Sequence, residues 1–225
     1  MSVAFAAFAS GSGTNLEALL ERDERGAAYR IALLVVDREC AAEGRMQRRG
    51  RIAARLDFGA AGTGRKLAQL LSEHRVRGIL LAGFLRLVPS EVCQAFDGRI
   101  LNIHPALLPA FGGKGMYGRH VHVAALASGA KISGVTVHLV NERYDEGRIV
   151  AQWPVPVLAS DTPDSLAARV LKVEHLLYPA AADALARSLE CGDVRPPAFR
   201  WPGGFSETDG ALGQAIEGAF DGGER

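Results

Sequence analysis

Over the first hundred residues, short uninterrupted apolar runs alternate with segments whose apolar positions recur every three or four residues. Val3 to Ala9 is the first run. After a glycine turn, Leu16, Leu19 and Leu20 fall at helical spacing, and Ile31 to Val36 is a second run of the kind a strand buried on both faces requires. A helix and a weaker strand follow. Beyond them come a helical pattern over Lys66 to Arg75, a buried strand Ile79 to Ala82 ending at Gly83, a short helix Pro89 to Phe96, and a strand from Ile100 to Ile103. Such alternation predicts βαβ units and an α/β fold, with a mostly parallel central sheet flanked by helices.

From Val135 to Val140 the pattern changes to strict alternation, with Val135, Val137 and Leu139 on one side and Thr136 and His138 on the other, which predicts a half-exposed strand. Ile149 to Val157 reads as a strand interrupted by Pro154 and Pro156, and so belongs at an edge. Thr162-Pro163 has the cap and first-turn chemistry of a helix start, and Leu166, Val170, Val173 and Leu177 form one stripe behind it. After Gly192 the chain carries Pro196, Pro197, Pro202 and many glycines, so residues 1–190 are expected to form one domain and 191–225 a loosely ordered tail. No internal repeat is present.

Composition narrows the function classes. A chain of 225 residues with 48% hydrophobic and 23% charged residues is globular and large enough for a sizeable core. Its 26 Lys+Arg against 25 Asp+Glu leave no basic field for nucleic acid. No apolar run approaches the ~18 residues of a membrane span, and the N-terminal segment lacks the basic region of a signal peptide. No membrane partner and a cytoplasmic location are the expectations. Cys40, Cys93 and Cys191 are widely spaced with no C-x-x-C pair, and read as reduced thiols.

Two features carry chemistry. Gly11, Ser12, Gly13, Thr14 and Asn15 follow a buried strand and open a helix, where converging backbone N–H groups and the helix dipole favour an anion such as a phosphate. The stretch lacks the lysine of a Walker loop and the third glycine of a dinucleotide fingerprint, so a ligand-free strand-to-helix turn is the competing reading. The second feature is Asn102, His104 and Asp145. Asn102 and His104 sit two apart at a strand's carboxyl end and share a face, in the place where open α/β sheets bind ligands. Asp145 lies in the turn Tyr144-Asp145-Glu146-Gly147, from which a carboxylate can reach the histidine. A satisfied histidine among unrelated polar groups is the competing reading. His120, His122 and His138 raise a metal alternative, since H-x-H can supply two ligands. The first two read instead as opening a helix near the site, and no metal is expected.

The stretch Ala82-Gly83-Phe84-Leu85-Arg86-Leu87 and the segment Leu101-Asn102-Ile103-His104-Pro105-Ala106-Leu107-Leu108-Pro109 closely resemble the folate-dependent formyltransferases. The loop SGSGTNL, the strand Gly134-Val135-Thr136-Val137-His138 and the stretch Lys172-Val173-Glu174-His175 with Tyr178-Pro179 narrow that resemblance to members that act on glycinamide ribonucleotide in purine synthesis. It runs from about Val3 to Pro179 and implies a Rossmann-like nucleotide-binding N-terminal half. Members that formylate methionyl-tRNA add a C-terminal RNA-binding domain, and members that hydrolyse formyltetrahydrofolate add an N-terminal regulatory domain; neither is expected here.

The resemblance implies transfer of a formyl group from 10-formyltetrahydrofolate, a co-substrate, to the primary amine of glycinamide ribonucleotide without a metal. Hydrolysis of the formyl-folate, or a non-catalytic nucleotide-binding module, are the alternatives. Asn102, His104 and Asp145 are the implied catalytic residues, with Asp145 raising the pKa of His104 by pairing with it. Gly11 to Asn15 would hold the ribonucleotide phosphate, and Glu174 the ribose hydroxyls unless it is an ordinary solvated helix residue. Leu85, Arg86, Leu87, Val88 and Asn102, with Asn141, Glu142, Arg143 and Tyr144, would contact the folate. The segment AFGGKGMYGR before His120 is longer than the shortest form of the family's loop, and Arg65 aligns too loosely with a folate contact to be assigned. A monomer or homodimer is expected.

Overall fold

Every residue of β1 (Val3–Ala9) is buried, as a parallel strand covered by helices on both faces must be. The structure is a computed structural model and describes residues 2–193, 199, 200 and 209–220. β1 is followed by α1 (Thr14–Glu24), β2 (Tyr29–Val36), α2 (Ala41–Gln47), β3 (Ile52–Arg55), α3 (Thr63–Glu73), β4 (Gly78–Leu81), α4 (Ser90–Ala95) and β5 (Ile100–His104). Then come α5 (Arg119–Ala127), β6 (Ile132–Leu139), β7 (Ile149–Pro156), α6 (Pro163–Glu190) and α7 (Asp209–Gly218). The strands form one sheet in the order β3-β2-β1-β4-β5-β6-β7. The first five run parallel, while β6 is antiparallel to β5 and β7 to β6.

Alternation along β1 divides its side chains between two cores. Phe5, Ala7 and Ala9 pack with Leu16, Leu19 and Leu20 of α1 and with α6; Ala6 and Phe8 pack with Leu67 and Leu71 of α3 and Val92 of α4. The chain builds outward from β1 through β2 to β3, then returns to place β4 on the other side. The crevice at the carboxyl ends of β1 and β4 is therefore the switch point where this class of sheet takes its ligands.

α6 crosses one face of the sheet. It starts where the sequence predicts: Thr162 Oγ1 accepts from Ser165 N at 3.2 Å and Ser165 Oγ accepts from Thr162 N at 3.0 Å. Its stripe Leu166, Val170, Val173 and Leu177 is buried. The buried hydroxyl of Tyr178 lies 2.9 Å from the carbonyls of both Leu81 and Leu101, fastening the helix to the ends of β4 and the middle of β5. No described helix is long and apolar enough to cross a membrane.

Three expectations need correction. α3 spans Thr63–Glu73, not Lys66 to Arg75, because the left-handed backbone of Gly62 admits an earlier start and Arg75, at φ 52°, lies past its end. β6 is buried on both faces. Thr136 is covered because the chain after β5 lies across it, its Oγ1 donating to Ala106 O at 2.6 Å and accepting from Leu108 N at 3.0 Å. The tail is not loose throughout: Ile216 in α7 and Ala219 just beyond it are buried, and Arg22 of α1 pairs with Glu217 at 2.6 Å. Pro196, Pro197 and Pro202 lie outside the described residues.

β7 is an edge strand, as its prolines require. Val157 N donates to Lys131 O at 3.0 Å, so the alternate positions Pro154 and Pro156 turn their nitrogens away from β6.

Candidate active site

The turn between β1 and α1 presents backbone N–H groups at the start of a helix. Gly13 takes a left-handed backbone, φ 70°, as the N-cap of α1, and no side chain caps the helix. Gly13 O accepts from Glu17 N at 2.9 Å, which leaves the N–H groups of Thr14, Asn15 and Leu16 at the electropositive helix end. The loop is braced from outside by Ala42 N to Gly11 O at 3.3 Å and Arg45 Nε to Ser12 O at 2.9 Å. Ser10 N to Gly83 O at 3.1 Å and Leu85 N to Ser10 Oγ at 3.0 Å tie it to the loop after β4. A Cβ on Gly13 would stand 2.9 Å from Ala42 Cβ, whereas one on Gly11 meets nothing within 4 Å.

This loop forms one end of a cleft of about 740 Å³, whose wall includes Gly11 to Asn15, Leu85, Asn102, His104, His122, Asp145 and Glu174. That volume suits a drug-sized ligand. Beside it a smaller pocket is lined by Phe84, Arg86, Leu87, Val88, Asn102, His138, Asn141, Arg143 and Tyr144. Leu85 therefore faces the large cleft and Glu142 faces neither. Arg86 turns its guanidinium toward the buried Asp37 carboxylate at the end of β2, Nε to Oδ2 3.2 Å. Arg65 is exposed on α3 and lines neither cavity.

Asn102, His104 and Asp145 meet where the two cavities join. β5 and β6 pair so that Asn102 stands opposite His138, and His104 opposite Thr136. Asp145 reaches the pair from the β6–β7 loop at φ 58°, a left-handed conformation that Asp and Asn tolerate better than most residues. The loop can return this tightly because Gly147 lies against the Leu139 carbonyl, where any side chain would collide. Asp145 Oδ2 is 3.6 Å from His104 Nδ1 and accepts from Gly113 N at 2.9 Å. Its Oδ1 is 3.5 Å from both His138 Nε2 and Asn102 Nδ2.

These contacts fix proton positions. His104 Nε2 is 2.9 Å from Phe111 O, a pure acceptor, so Nε2 carries a hydrogen and Nδ1 faces the carboxylate. His138 Nδ1 is 2.8 Å from Leu139 O, leaving Nε2 to accept from Asn102 Nδ2 at 3.0 Å. Burial lowers the pKa of His104, and the attractions of Asp145 and the Phe111 carbonyl do not fully offset it. The carboxylate raises this histidine, but burial is the larger effect and the net shift is downward. Burial alone would raise the Asp145 carboxyl, but the neighbouring His138 and His104 rings and the Gly113 N–H together hold it below its usual range.

Glu174, on α6 beside the Gly11 to Asn15 loop, is no solvated helix residue. It is 7% exposed, and burial pushes its carboxyl up to about 7 against a single hydrogen bond from Asn15 Nδ2 at 3.4 Å. Asn15 Oδ1 is buried with no hydrogen-bond partner. Arg119 of α5 and Asp164 of α6 pair across the cleft mouth at 3.1 Å.

Among the described residues no group of three or more His, Cys, Asp or Glu is arranged to hold a metal ion, so His120, His122 and His138 do not form a ligand set. His138 is the site residue that sequence reasoning weighed only as a strand position or metal ligand. Its place opposite Asn102 depends on strand register between segments 36 residues apart.

The formyl transferase family model matches residues 3–182. A Vigna unguiculata protein named phosphoribosylglycinamide formyltransferase, chloroplastic, is 44% identical over 186 residues, which are 80% of this chain and 60% of that one. The chain thus spans less than two thirds of that relative's length. The phosphoribosylglycinamide formyltransferase of Bacillus subtilis is 36% identical over 190 residues, 80% of this chain and 93% of that one. The crystal structure of glycinamide ribonucleotide transformylase 1 from Symbiobacterium toebii superposes with a TM-score of 0.77 at 38% identity, covering 83% of this chain and 89% of that one.

Proposed function

The chain belongs to the formyl transferase family, and on that premise we propose that it transfers a formyl group from 10-formyltetrahydrofolate to the primary amine of glycinamide ribonucleotide. The observation that carries this reading is the meeting of Asn102, His104 and Asp145 at the junction of an anion-binding cleft and a second pocket. Two ligands bound in these cavities would touch at that junction. In the proposed arrangement the Gly11 to Asn15 loop holds the phosphate, and Glu174 takes the ribose hydroxyls. The smaller pocket takes the folate ring, Leu85 meets the folate from the large cleft, and the loop carrying Asn141, Glu142, Arg143 and Tyr144 flanks it.

The formyl-folate supplies the carbon that the amine attacks; the chain supplies donors and a proton path. As negative charge gathers on the formyl oxygen, His104 exchanges the Phe111 carbonyl for this stronger acceptor, and an Asn102 N–H points to the same oxygen. His138 fixes which way the Asn102 amide faces by accepting one of its hydrogens. Asp145, kept ionised between two histidines, stabilises His104 as it takes the proton that the attacking amine loses, and that proton moves through water to the folate nitrogen as its bond to the formyl carbon breaks. Each role is filled by a protein group, and no step requires a metal. Cytoplasmic location and a monomeric or homodimeric state belong to the same proposal.

The test supplies 10-formyltetrahydrofolate with and without glycinamide ribonucleotide and follows the folate product. Product that depends on the ribonucleotide is expected. Product formed equally fast without it would favour hydrolysis, and none in either case would favour a binding module.

A further inference from the structure

The mechanism above leaves one buried titratable group of the cleft unused. His122 lies in the first turn of α5, is 4% exposed, lines the same cleft as His104 and is near enough to feel its charge. Its Nδ1 is sealed from solvent with no hydrogen-bond partner. A buried polar atom without a partner carries a desolvation cost that an apolar side chain of the same shape would avoid. If the position only needed filling, phenylalanine would fill it more cheaply, so the ring's remaining hydrogen-bonding capacity demands an explanation.

The chemistry of the imidazole narrows it. Burial, together with the neighbouring charge of His104, disfavours the protonated ring, so His122 is neutral and carries one hydrogen. An unpaired buried N–H is rarer and costlier than an unpaired acceptor. The hydrogen therefore belongs on Nε2, and the sealed Nδ1 is the bare nitrogen. His122 then offers one N–H donor, which calls for an acceptor oxygen in the ligand.

We infer that His122 is a substrate-contacting residue whose Nε2–H donates to the carbonyl oxygen of the glycinamide arm of the ribonucleotide. The placement rests on the formyl-transfer reading. With the phosphate at Gly11 to Asn15, the ribose at Glu174 and the amine at His104, the stretch that passes the wall beside His104 is the arm joining ribose to amine. Its carbonyl is the acceptor that arm carries. His122 thereby distinguishes a glycinamide arm from an amine on a plain alkyl chain.

Formyl transfer by the unmodified protein is measured first, so that failure of the activity reading is seen by itself. Ribonucleotide and folate affinities are then measured by calorimetric titration, independently of turnover, for His122→Phe, His122→Gln and His122→Asn. His122→Phe should weaken ribonucleotide binding about tenfold, the scale of one lost hydrogen bond, while folate affinity stays within about twofold and the melting temperature holds or rises. The glutamine amide nitrogen reaches where Nε2 stood, so His122→Gln should recover most of the affinity, whereas His122→Asn, whose nitrogen falls at Nδ1, should not. Unchanged ribonucleotide affinity in His122→Phe would overturn the inference. So would an equal loss for both ligands accompanied by a lower melting temperature, which would make His122 structural, or a wild-type protein that does not bind the ribonucleotide.

Discussion

Asp145 and Glu174 line the same cleft and both are largely buried, yet their acidities are shifted in opposite directions. Asp145 is reached by two histidines, an asparagine and a backbone N–H, and its carboxyl stays below the ordinary range. Glu174 has one long hydrogen bond, and burial takes it up to about 7. The polar groups within reach decide the shift: burial penalises both carboxylates, and only the one met by two N–H donors and two imidazole rings overcomes the penalty. One cleft can therefore hold one carboxyl that ionises readily and another that keeps its proton up to about pH 7.

The largest expected effect comes from removing the Asp145 carboxylate. Asp145→Asn keeps the left-handed backbone at little cost, so the protein should fold and bind both substrates within a few-fold while losing on the order of 10²-fold or more in turnover. Without the carboxylate that raises it, His104 should titrate lower still, and an activity limb that needs protonated His104 should move to lower pH. Near wild-type turnover with an unmoved profile would remove Asp145 from the mechanism.

Glu174 sharpens the comparison through stability. Its folded carboxyl binds a proton more tightly than in the unfolded chain, so the folded state holds the extra proton between about 4.5 and 7, and stability falls as pH rises through that window. A rise from 4.5 to about 7 corresponds to roughly 3 kcal/mol. Glu174→Gln should therefore match the wild type near pH 4 and exceed it in melting temperature at pH 8, while binding the ribonucleotide less well. Asp145 has the opposite sign, its contribution being lost as pH falls. Parallel melting curves for Glu174→Gln and wild type at every pH would show that the glutamate is not perturbed.

The smaller effects belong to the loop beside Glu174. Gly13→Val combines a positive φ with a Cβ driven into Ala42, and should cost about 1–3 kcal/mol of stability whatever it does to binding. Gly11→Ala has open space, so its melting temperature should stay within about a degree, and ribonucleotide affinity alone should drop several-fold. Loss of stability in Gly11→Ala, or undiminished ribonucleotide binding, would argue against an anion seat there.

How far the sequence discloses all this depends on how local each feature is. The β1–α1 loop is one contiguous stretch, and the burial of β1 and β2 follows from their continuous apolar runs. The Asp145 end is assembled from β5, β6 and the loop after β6. Asn102 and His104 are legible as a pair because two residues on one strand share a face, but His138 depends on cross-strand register that composition does not encode. The alternation in β6 misleads for a related reason. Thr136 and His138 look solvent-facing only if water covers that side, whereas the 105–109 segment and the Asp145 loop do. Glu174 sits on a mostly apolar helix face, so only the packing of α6 against α1 reveals that water is kept from it.

The two prolines of β7 act beyond their own strand. An open sheet border invites another chain to dock by matching its N–H and C=O groups, and in this sheet the outward row of β7 lacks a donor at two successive outward positions, Pro154 and Pro156. A second strand arriving there would leave its own carbonyls unanswered twice within three residues. That border is thus closed to fibre-like growth by chemistry, with no covering element needed. A self-association that ran through backbone pairing would have to use the opposite border, where β3 offers only the four residues Ile52–Arg55 and Arg55 is already engaged by Glu43.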